Sequence, residues 1–505
     1  VPYYNGQKRI DTPPGATWLH LLALAPLDRQ TATPRQIVAR TRGVSYVMLL
    51  LCVAGVYWSG LTIGGLRTAM VAALLCAANP LLVIHARLAS PPIMFVAWVM
   101  LGIAAALWAL RPLRPPPSVA RQAIGWAIAG AAMGAATLTL GPAALAGVAL
   151  PVLVIILLCP NRTSHLLGLL AALLIGVLIV LPWVAHLQSI DPETGERLLH
   201  RLTAWSITDL TQYAASAPWR AAILVIALLP WALWVVGAML QPLSTSSEGL
   251  RVRLFIGWSW FVLAACVYLL LPVAMPSAAL LVVAPAASVM LGQLFNQFAS
   301  LSESGRPARL WRALRWPHVI LLALLSVMLP LAMYGPMFLP DLAWPIAGDI
   351  APRWPLALAL GVALLTISSL SLRHAARDFP HRAVIAWLVW GLVATTVMTI
   401  PYARGPRGTQ PLRADARKLV DVTGDVPVYF HSDQAGAELP PALLLYGRAP
   451  VPTLPSDELA SLASDAEPYY VLTRGEPGRH TRLANLAVAG LTVWRYDGGL
   501  HGPDN

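Results

Sequence analysis

One carboxylate in the first ninety residues stands where it could carry acid–base chemistry. Asp11 comes just before Pro13-Pro14 and a short apolar segment. The proline pair favours a rigid, extended turn that would present this acid at a membrane surface, where it could act as a base or contact an acceptor. The alternative is a loop aspartate that only caps the helix that follows.

Two basic side chains of the same region are suited to binding an anion. They are His85 and Arg87, which lie between two apolar segments. An arginine and a histidine at a membrane interface could bind an anionic lipid head group. The alternative for Arg87 is a snorkelling side chain that anchors a helix end. Only two of the 35 basic residues are lysines, so a bound phosphate would rely mostly on arginine.

The usual motifs of soluble enzymes do not occur in this sequence. It holds no phosphate-binding P-loop, no dinucleotide fingerprint and no histidine–cysteine pair at metal-ligand spacing. We therefore assign no metal site and no certain cofactor from the sequence, and the need for a divalent cation stays open.

The elements that must position these side chains are predicted to be membrane-spanning helices. Of 505 residues, 57% are hydrophobic and 11% are charged, whereas a soluble domain has about 45–50% apolar and about 25% charged residues. This excludes a soluble globular protein and a disordered one, and it predicts an all-α polytopic membrane protein.

Twelve charge-free stretches approach the roughly 20 residues that a crossing needs. They are Gly43–Ile63, Thr68–Ile84, Pro91–Leu110, Gln122–Leu140, Gly141–Cys159, Leu166–Ala185, Ala221–Leu240, Leu254–Leu271, Ser277–Leu294, Val319–Met337, Pro355–Leu372 and Ala383–Ile400.

Two apolar stretches have a special local pattern. Gly141-Pro142 interrupts 38 uncharged residues, and it predicts a hairpin of two helices because proline breaks the backbone hydrogen bonds of a helix. Gly15–Ala25 is too short to span a membrane. It is therefore predicted to form an interfacial helix that lies on the membrane surface.

The arginines indicate how the helices are oriented. Loops on one side hold 14 arginines and loops on the other side hold 5, and the positive-inside rule makes the richer side cytoplasmic. Both chain ends then face the periplasm of a bacterial inner membrane, although the basic N-terminal segment opposes the rule. The richer set is Arg67, Arg111, Arg114, Arg121, Arg162, Arg251, Arg253, Arg306, Arg309, Arg312, Arg315, Arg373, Arg377 and Arg382, and the other is Arg87, Arg197, Arg201, Arg220 and Arg353.

Three regions follow from this pattern. They are a periplasmic interfacial segment at 1–42, a transmembrane helical domain at 43–401 with an outer loop at 187–220, and a soluble C-terminal domain at 402–505. The last region is predicted to be a small α/β domain because strand-like and helical stretches alternate along it. The strands are Val426–Phe430, Tyr469–Thr473 and Leu491–Tyr496, and the helices are Arg413–Val422 and Asp457–Ser464.

Five pieces of sequence, taken in order, carry a family resemblance. They are the opening VPYYNGQKRIDTPPG, HARLAS at 85–90, LTLGP at 138–142, LPW at 181–183 with a return at APW, 217–219, and PVAMPSAALLVVAP at 272–285. Their order and spacing resemble the GT-C class of polyprenyl-phosphate-sugar glycosyltransferases, in particular lipid A aminoarabinose transferases and protein O-mannosyltransferases. The resemblance implies the GT-C fold with a small periplasmic α/β domain. It also implies a further helix and an acidic pair upstream of Val1.

The same resemblance implies a function and its partners. A family member moves a sugar from a polyprenyl-phosphate donor to a lipid or protein acceptor at the periplasmic face. Membrane lipids and the donor are the expected partners, and nucleic acid is not. The residues that match or lie near the family's polar groups are Asp11, as base or acceptor contact, and Arg87, Lys8, Arg40, Arg42 and His85, as contacts of the donor phosphate.

Several family positions have changed in this chain. Thr12 and Leu140 stand where the family has lysines, Ser90 stands where it has an aspartate, and a third lysine falls near Ala274-Met275. Loss of one charged hydrogen bond to a developing anion can lower a rate by about 10²–10³. A non-catalytic GT-C-fold subunit of a larger membrane complex therefore stays open as an alternative. A transporter is disfavoured because no crossing holds a carboxylate at mid-membrane.

Overall fold

The computed structural model describes most of the helical region and parts of the C-terminal region. The described residues are 3–4, 7–8, 13–28, 32–112, 117–159, 161–190, 192, 196, 211, 213–244, 248–270, 276–303, 309–334, 354–377, 380–403, 418–423, 426–431, 451, 453–454, 469–473, 481–488 and 491–496. The chain divides into two compact units. One comprises Ile10–Thr31 and Ile37–Ala403, and the other comprises Val1–Arg9, Ala32–Gln36 and Arg404–Asn505.

The first unit is helical, as its composition predicts. Within the described residues its helices are α1 (Gly15–Leu24), α2 (Pro34–Gly64), α3 (Leu66–Ala77), α4 (Pro80–Arg87), α5 (Pro91–Leu110), α6 (Val119–Leu140), α7 (Ala143–Leu157), α8 (Arg162–Ile190), α9 (Ala217–Ala227), α10 (Ala232–Ser244), α11 (Glu248–Leu270), α12 (Pro276–Glu303), α13 (Arg309–Tyr334), α14 (Trp354–Ala376) and α15 (Pro380–Ala403). The expected short helix after Pro14 is confirmed as α1.

The number of crossings differs from the twelve predicted. In the described part of the chain, nine helices are long and apolar enough to span a membrane, or up to eleven if each bent pair counts as one span. The pairs are α3 with α4, bent by 56°, and α9 with α10, bent by 103°. The remaining predicted crossing forms α7, whose 15 residues rise about 22 Å, less than the roughly 30 Å of hydrocarbon. The all-α polytopic membrane class is confirmed, and the predicted break between α6 and α7 occurs.

The bundle has a buried centre and an apolar periphery. The most apolar window of α12 is 94% buried, whereas that of α8 is 17% buried. Leu167, Leu170 and Leu174 of α8 expose more than half of their surface. In a membrane protein such side chains face lipid, so hydropathy alone does not distinguish the central helix from the peripheral one.

Small residues bring α6 and α8 into close contact. A Cβ at Gly130 of α6 would lie 2.5 Å from the carbonyl oxygen of Ala172, and a Cβ at Gly134 would lie 3.0 Å from that of Gly176. Each contact joins residues 42 positions apart, so the two helices run parallel. Small residues spaced four apart let backbones approach closely in lipid, where no hydrophobic effect drives helices together.

A cluster of aromatic rings fills the contact between α10, α12, α13 and α15. The ring centroid of Trp234 lies 5.7 Å from that of Trp311, 5.4 Å from that of Trp387 and 5.5 Å from that of Phe295. The indoles of Trp234, Trp311 and Trp387 are fully buried. Aromatic pairs at these distances add stability beyond their buried area, so this cluster fixes how the four helices meet.

The second unit contains a mixed five-stranded sheet. Its strands are β3 (Val428–His431), β4 (Thr453–Leu454), β5 (Tyr469–Thr473), β6 (Thr481–Val488) and β7 (Leu491–Tyr496), in the order β4-β3-β5-β7-β6. β3 pairs in parallel with β4 and β5, and β7 pairs antiparallel with β5 and β6. A two-stranded ladder of β1 (Tyr3–Tyr4) and β2 (Gln7–Lys8) belongs to the same unit. The predicted strands β5 and β7 are confirmed to the residue, whereas the predicted helix Asp457–Ser464 lies outside the described residues.

We expect Gly130→Ile to destabilise the protein, because the new side chain would overlap the Ala172 carbonyl and force α6 and α8 apart. Overpacking of this kind costs about 1–3 kcal/mol. Thermal unfolding of the detergent-purified protein measures the effect. Gly43→Ala is the matched control, since a Cβ at Gly43 meets nothing within 4 Å. Equal melting of the two variants would contradict the close α6–α8 contact.

Candidate functional site

The start of α5 and the end of α6 lie at the same end of the bundle. A Cβ at Gly125 of α6 would lie 2.7 Å from Ala109 of α5, and a Cβ at Gly102 of α5 would lie 3.5 Å from Ala132 of α6. Rising residue numbers on one helix match falling numbers on the other, so the helices are antiparallel. We call the end with the start of α5 the outer end, because it is opposite to the arginine-rich loop after α5.

The outer end brings the first and third sequence motifs together. Pro13 and Pro14 are buried, and Gly15 begins α1 against the end of α6. A Cβ at Gly15 would lie 2.6 Å from the carbonyl oxygen of Leu138, so only glycine allows this approach. The segment that follows Asp11 is thereby seated on the LTLGP motif of residues 138–142.

The LTLGP motif offers no cation and no free hydroxyl at this end. Thr139 Oγ1 donates to the Ala135 carbonyl at 2.7 Å within its own helix. Leu140, which replaces a family lysine, is 9% exposed and part of the apolar core. Gly141 then ends α6 with a φ of 100° and donates its N–H to the Thr137 carbonyl at 2.7 Å. The role of this motif in the described structure is to end α6 and support α1.

The HARLAS motif forms a tight turn between α4 and α5, also at the outer end. His85 Nδ1 and Ser90 Oγ lie 2.8 Å apart and share a hydrogen bond. Ala89 has a φ of 51°, which is rare for a residue with a side chain. Arg87 is half-buried with its Nε inside the protein. Ser90, which stands where the resembled family has an aspartate, therefore holds the His85 ring and contributes no negative charge.

Arg40 and Arg42 lie near the same level. A Cβ at Gly55 of α2 would lie 3.0 Å from the Cβ of Met100 of α5. The start of α5 is nine residues before Met100, and it is therefore level with Tyr46, which is nine residues before Gly55 on α2. Arg42 lies one turn further out, by about 6 Å along the helix axis. Arg42 is half-buried and Arg40 is exposed.

Asn79 holds the two bent spans in place. It caps α4 by accepting hydrogen bonds from the N–H groups of Leu81 and Leu82, and its Nδ2 donates to the Ala227 carbonyl at the end of α9 at 3.2 Å. Thr395 Oγ1 of α15 donates to the Ala78 carbonyl at 2.5 Å. Breaks inside membrane spans expose backbone groups that must find partners within the protein, and these side chains supply partners at the α3–α4 break and at the end of α9.

Arg220 is a buried cation whose environment the sequence did not indicate. It follows the Pro-Trp return and is 7% exposed, and it donates to the Leu269 carbonyl at 2.6 Å, to the Tyr213 carbonyl and to Ser216 Oγ. Its guanidinium lies 3.3 Å from the Tyr213 ring centroid, and Tyr213 Oη donates to the Tyr268 carbonyl at 3.0 Å. Burial raises the pKa of Tyr213, and the Arg220 charge opposes that rise. The cluster joins the start of α9 to the end of α11.

The remaining predicted site residues have separate outcomes. Lys8 belongs to β2 of the second unit, and Asp11 lies outside the described residues.

His20 of α1 is half-buried, and burial lowers the pKa of its imidazole. Within the described residues, no three histidine, cysteine or carboxylate side chains gather as a metal site would require.

Comparison with known proteins shows which proteins this chain is similar to. The model of the dolichyl-phosphate-mannose-protein mannosyltransferase family matches residues 32–192, which hold Arg40, Arg42, His85, Arg87 and the LTLGP motif. An undecaprenyl phosphate-alpha-4-amino-4-deoxy-L-arabinose arabinosyl transferase 1 of Pseudomonas fluorescens (strain Pf0-1) is 26% identical over 384 residues. That alignment covers 72% of this chain and 64% of the relative's length.

Solved structures show the same architecture. The crystal structure of ArnT from Cupriavidus metallidurans bound to undecaprenyl phosphate has a TM-score of 0.71 at 16% identity, covering 99% of this chain and 91% of that one. Its apo structure has a TM-score of 0.68 at 17% identity, covering 99% and 90%. The GT-C fold predicted from the order of the motifs is thus confirmed.

We expect Arg220→Ala to lower the thermal stability of the protein. The change removes the donors that the Leu269 and Tyr213 carbonyls use, and an unpaired buried polar group costs about 1–3 kcal/mol. Arg162→Ala, at an exposed position, is the control and should stay within about 0.5 kcal/mol of the unmodified protein. Unfolding in detergent, followed by size-exclusion fluorescence, distinguishes the two. A similar small effect for both would mean that Arg220 does not join α9 to α11.

Proposed function

We propose that this chain, a GT-C-fold relative of the polyprenyl-phosphate-sugar glycosyltransferases, transfers a sugar from a polyprenyl-phosphate donor to a lipid or protein acceptor. The reaction takes place at the periplasmic face of a bacterial inner membrane, on the side that bears the outer ends of α1, α5 and α6. The C-terminal domain lies in the same compartment.

The observation that carries this proposal is a group of outer-end cations in a stretch with no carboxylate. The sequence from Arg29 to Ile190 contains no aspartate and no glutamate. In the folded protein, Arg42 and Arg87 of this stretch lie at one end of the bundle. Two guanidinium groups at one end of the bundle give that end a positive charge, and arginine donors suit phosphate oxygens. They would attract the phosphate of a lipid-linked donor whose head group lies at the outer end.

The chemistry assigned to these residues is displacement at the anomeric carbon. An acceptor oxygen or nitrogen forms a bond to that carbon, the bond from the carbon to the donor phosphate breaks, and the polyprenyl phosphate leaves with the electron pair. Arg87 and Arg42 stabilise the negative charge on the leaving phosphate, and His85 and Arg40 are assigned further contacts to it. Lys8, of the second unit, is assigned to the phosphate from the resemblance alone. Asp11 accepts the proton of the acceptor.

A second candidate function is a non-catalytic GT-C-fold subunit that holds a partner in the membrane. Two observations favour it: Leu140 is buried where the family has a lysine, and Ser90 replaces a carboxylate and bonds His85. Each change replaces a charged side chain of the resembled family with an uncharged one. The first candidate is preferred because Arg42 and Arg87 together put positive charge at the end of the bundle where a donor phosphate would lie.

We expect Arg87→Gln to weaken binding of undecaprenyl phosphate by about tenfold or more, because a charge-assisted hydrogen bond to the phosphate is lost. Native mass spectrometry of the full chain measures the affinity, with Arg162→Gln as the control. Transfer is then assayed with a mixed pool of undecaprenyl-phosphate-linked sugars, and Asp11→Asn should abolish transfer while it leaves binding intact. Binding without transfer in the unmodified chain would favour the structural subunit, and failure to bind would reject the donor altogether.

The orientation has its own test. Alkaline phosphatase fused after Asn505 should be active, since this enzyme requires the oxidising periplasm for its disulfides. The same reporter inserted between Arg114 and Pro115, in an arginine-rich loop, should be inactive. The reverse pattern would place the outer end in the cytoplasm and would exclude a periplasmic reaction.

A further inference from the structure

A cleft at the opposite end of the helical unit has no part in the proposed reaction. It lies where α2 and α5 end and α6 begins, and its volume is about 210 Å³. Its walls are Trp58, Leu61, Thr62, Trp108, Arg111 and Arg121. The arginine-rich loops make this the cytoplasmic side of the bundle.

Arg121 is fixed on one wall of the cleft. Its Nε donates to the Trp108 carbonyl at the end of α5 at 3.3 Å, and its guanidinium carbon lies 4.6 Å from the centre of the Trp108 ring. Its backbone N–H is bonded to Ser118 Oγ, which caps α6. A cation with this support is oriented before any ligand arrives, so little side-chain entropy is lost on binding.

Arg111 faces the same cleft from a strained backbone position. It ends α5 with a φ of 43°, in the left-handed region that favours glycine. Its side chain makes no hydrogen bond or ion pair with the residues that the structure describes. A non-glycine residue in this conformation is strained, and strain of this kind clusters at functional sites.

Among the described residues that line the cleft, none is acidic. The sequence from Arg29 to Ile190, which includes the helices that form it, contains no carboxylate. Two guanidinium groups that share a small cleft repel each other unless an anion lies between them. The planar donors of arginine match phosphate oxygens in pairs.

We propose that this cleft binds the phosphate of an anionic glycerophospholipid from the cytoplasmic leaflet. A lipid is preferred to a free phosphate because Trp58, which is 45% exposed, Leu61 and Trp108 form an apolar wall at the ends of spanning helices. Tryptophan is favoured at this depth, where head groups meet acyl chains, and the glycerol and upper acyl chain of the lipid pack on that wall. The site is independent of the sugar donor.

The test compares lipids on the full chain by native mass spectrometry and by exchange from vesicles. Phosphatidylglycerol should bind at least tenfold more tightly than phosphatidylcholine. Arg111→Gln should reduce that preference about tenfold, because a charge-assisted contact to phosphate is lost. Arg162→Gln, an exposed arginine on the same side but outside the cleft, should leave it unchanged. Inorganic phosphate at millimolar concentration should not displace the lipid.

Arg111→Gly separates ligand binding from folding. Glycine adopts the left-handed conformation without strain, so this variant should melt at the same temperature as the unmodified chain or higher, measured without added lipid. It should nevertheless lose the preference for phosphatidylglycerol. An unchanged preference in both Arg111 variants would overturn the site. Displacement by inorganic phosphate would overturn the lipid as the ligand.

Discussion

Ten arginines and no carboxylate occupy the stretch from Arg29 to Ile190, and the electrostatics of the helical unit depend on this imbalance. A guanidinium taken out of water is stable only beside an anion or strong acceptors. Arg121 uses a carbonyl and an aromatic face, as Arg220 does further along the chain. Phosphates of lipids or of a lipid-linked substrate are anions outside the chain that such a positively charged stretch would attract. A single compositional feature thus relates both ends of the bundle to the bilayer.

Close packing of small residues sets how the helices are placed against one another. Gly130 and Gly134 seat α6 on α8, Gly125 and Gly102 set its register against α5, and Gly15 lets the first helix rest on its end. α6 therefore acts as the reference element to which the outer-end segments are aligned. The aromatic cluster around Trp234 has the same role among α10, α12, α13 and α15. Neither arrangement relies on charge, so a changed charge pattern at the site leaves the fold intact.

Much of the fold was predictable from the sequence, because apolar length and proline position are local signals. Within the described residues, each of the twelve stretches is mostly helical, and the break at Gly141-Pro142 occurs. The bend at Asn79 and the short rise of α7 were not predictable, since average hydropathy does not register them. β4 and β6 were missed because β4 has two residues and β6 contains helix-favouring alanines and an asparagine. For the site, motif order indicated a resemblance to a family, whereas the burial of Leu140 and the carbonyl partners of Arg220 depend on tertiary contacts that no local pattern reports.

The link between Asn79 and Ala227 also has a consequence for the order of biogenesis. The two residues are 148 positions apart, and Thr395, which bonds the carbonyl next to Asn79, is 317 positions beyond that carbonyl. At about 5–20 residues per second, the ribosome needs roughly 7–30 s after Asn79 to supply Ala227. During that interval the backbone groups at the break between α3 and α4 lack these partners and need others, such as water. The break therefore acquires its final hydrogen bonds only after segments far along the chain have been made.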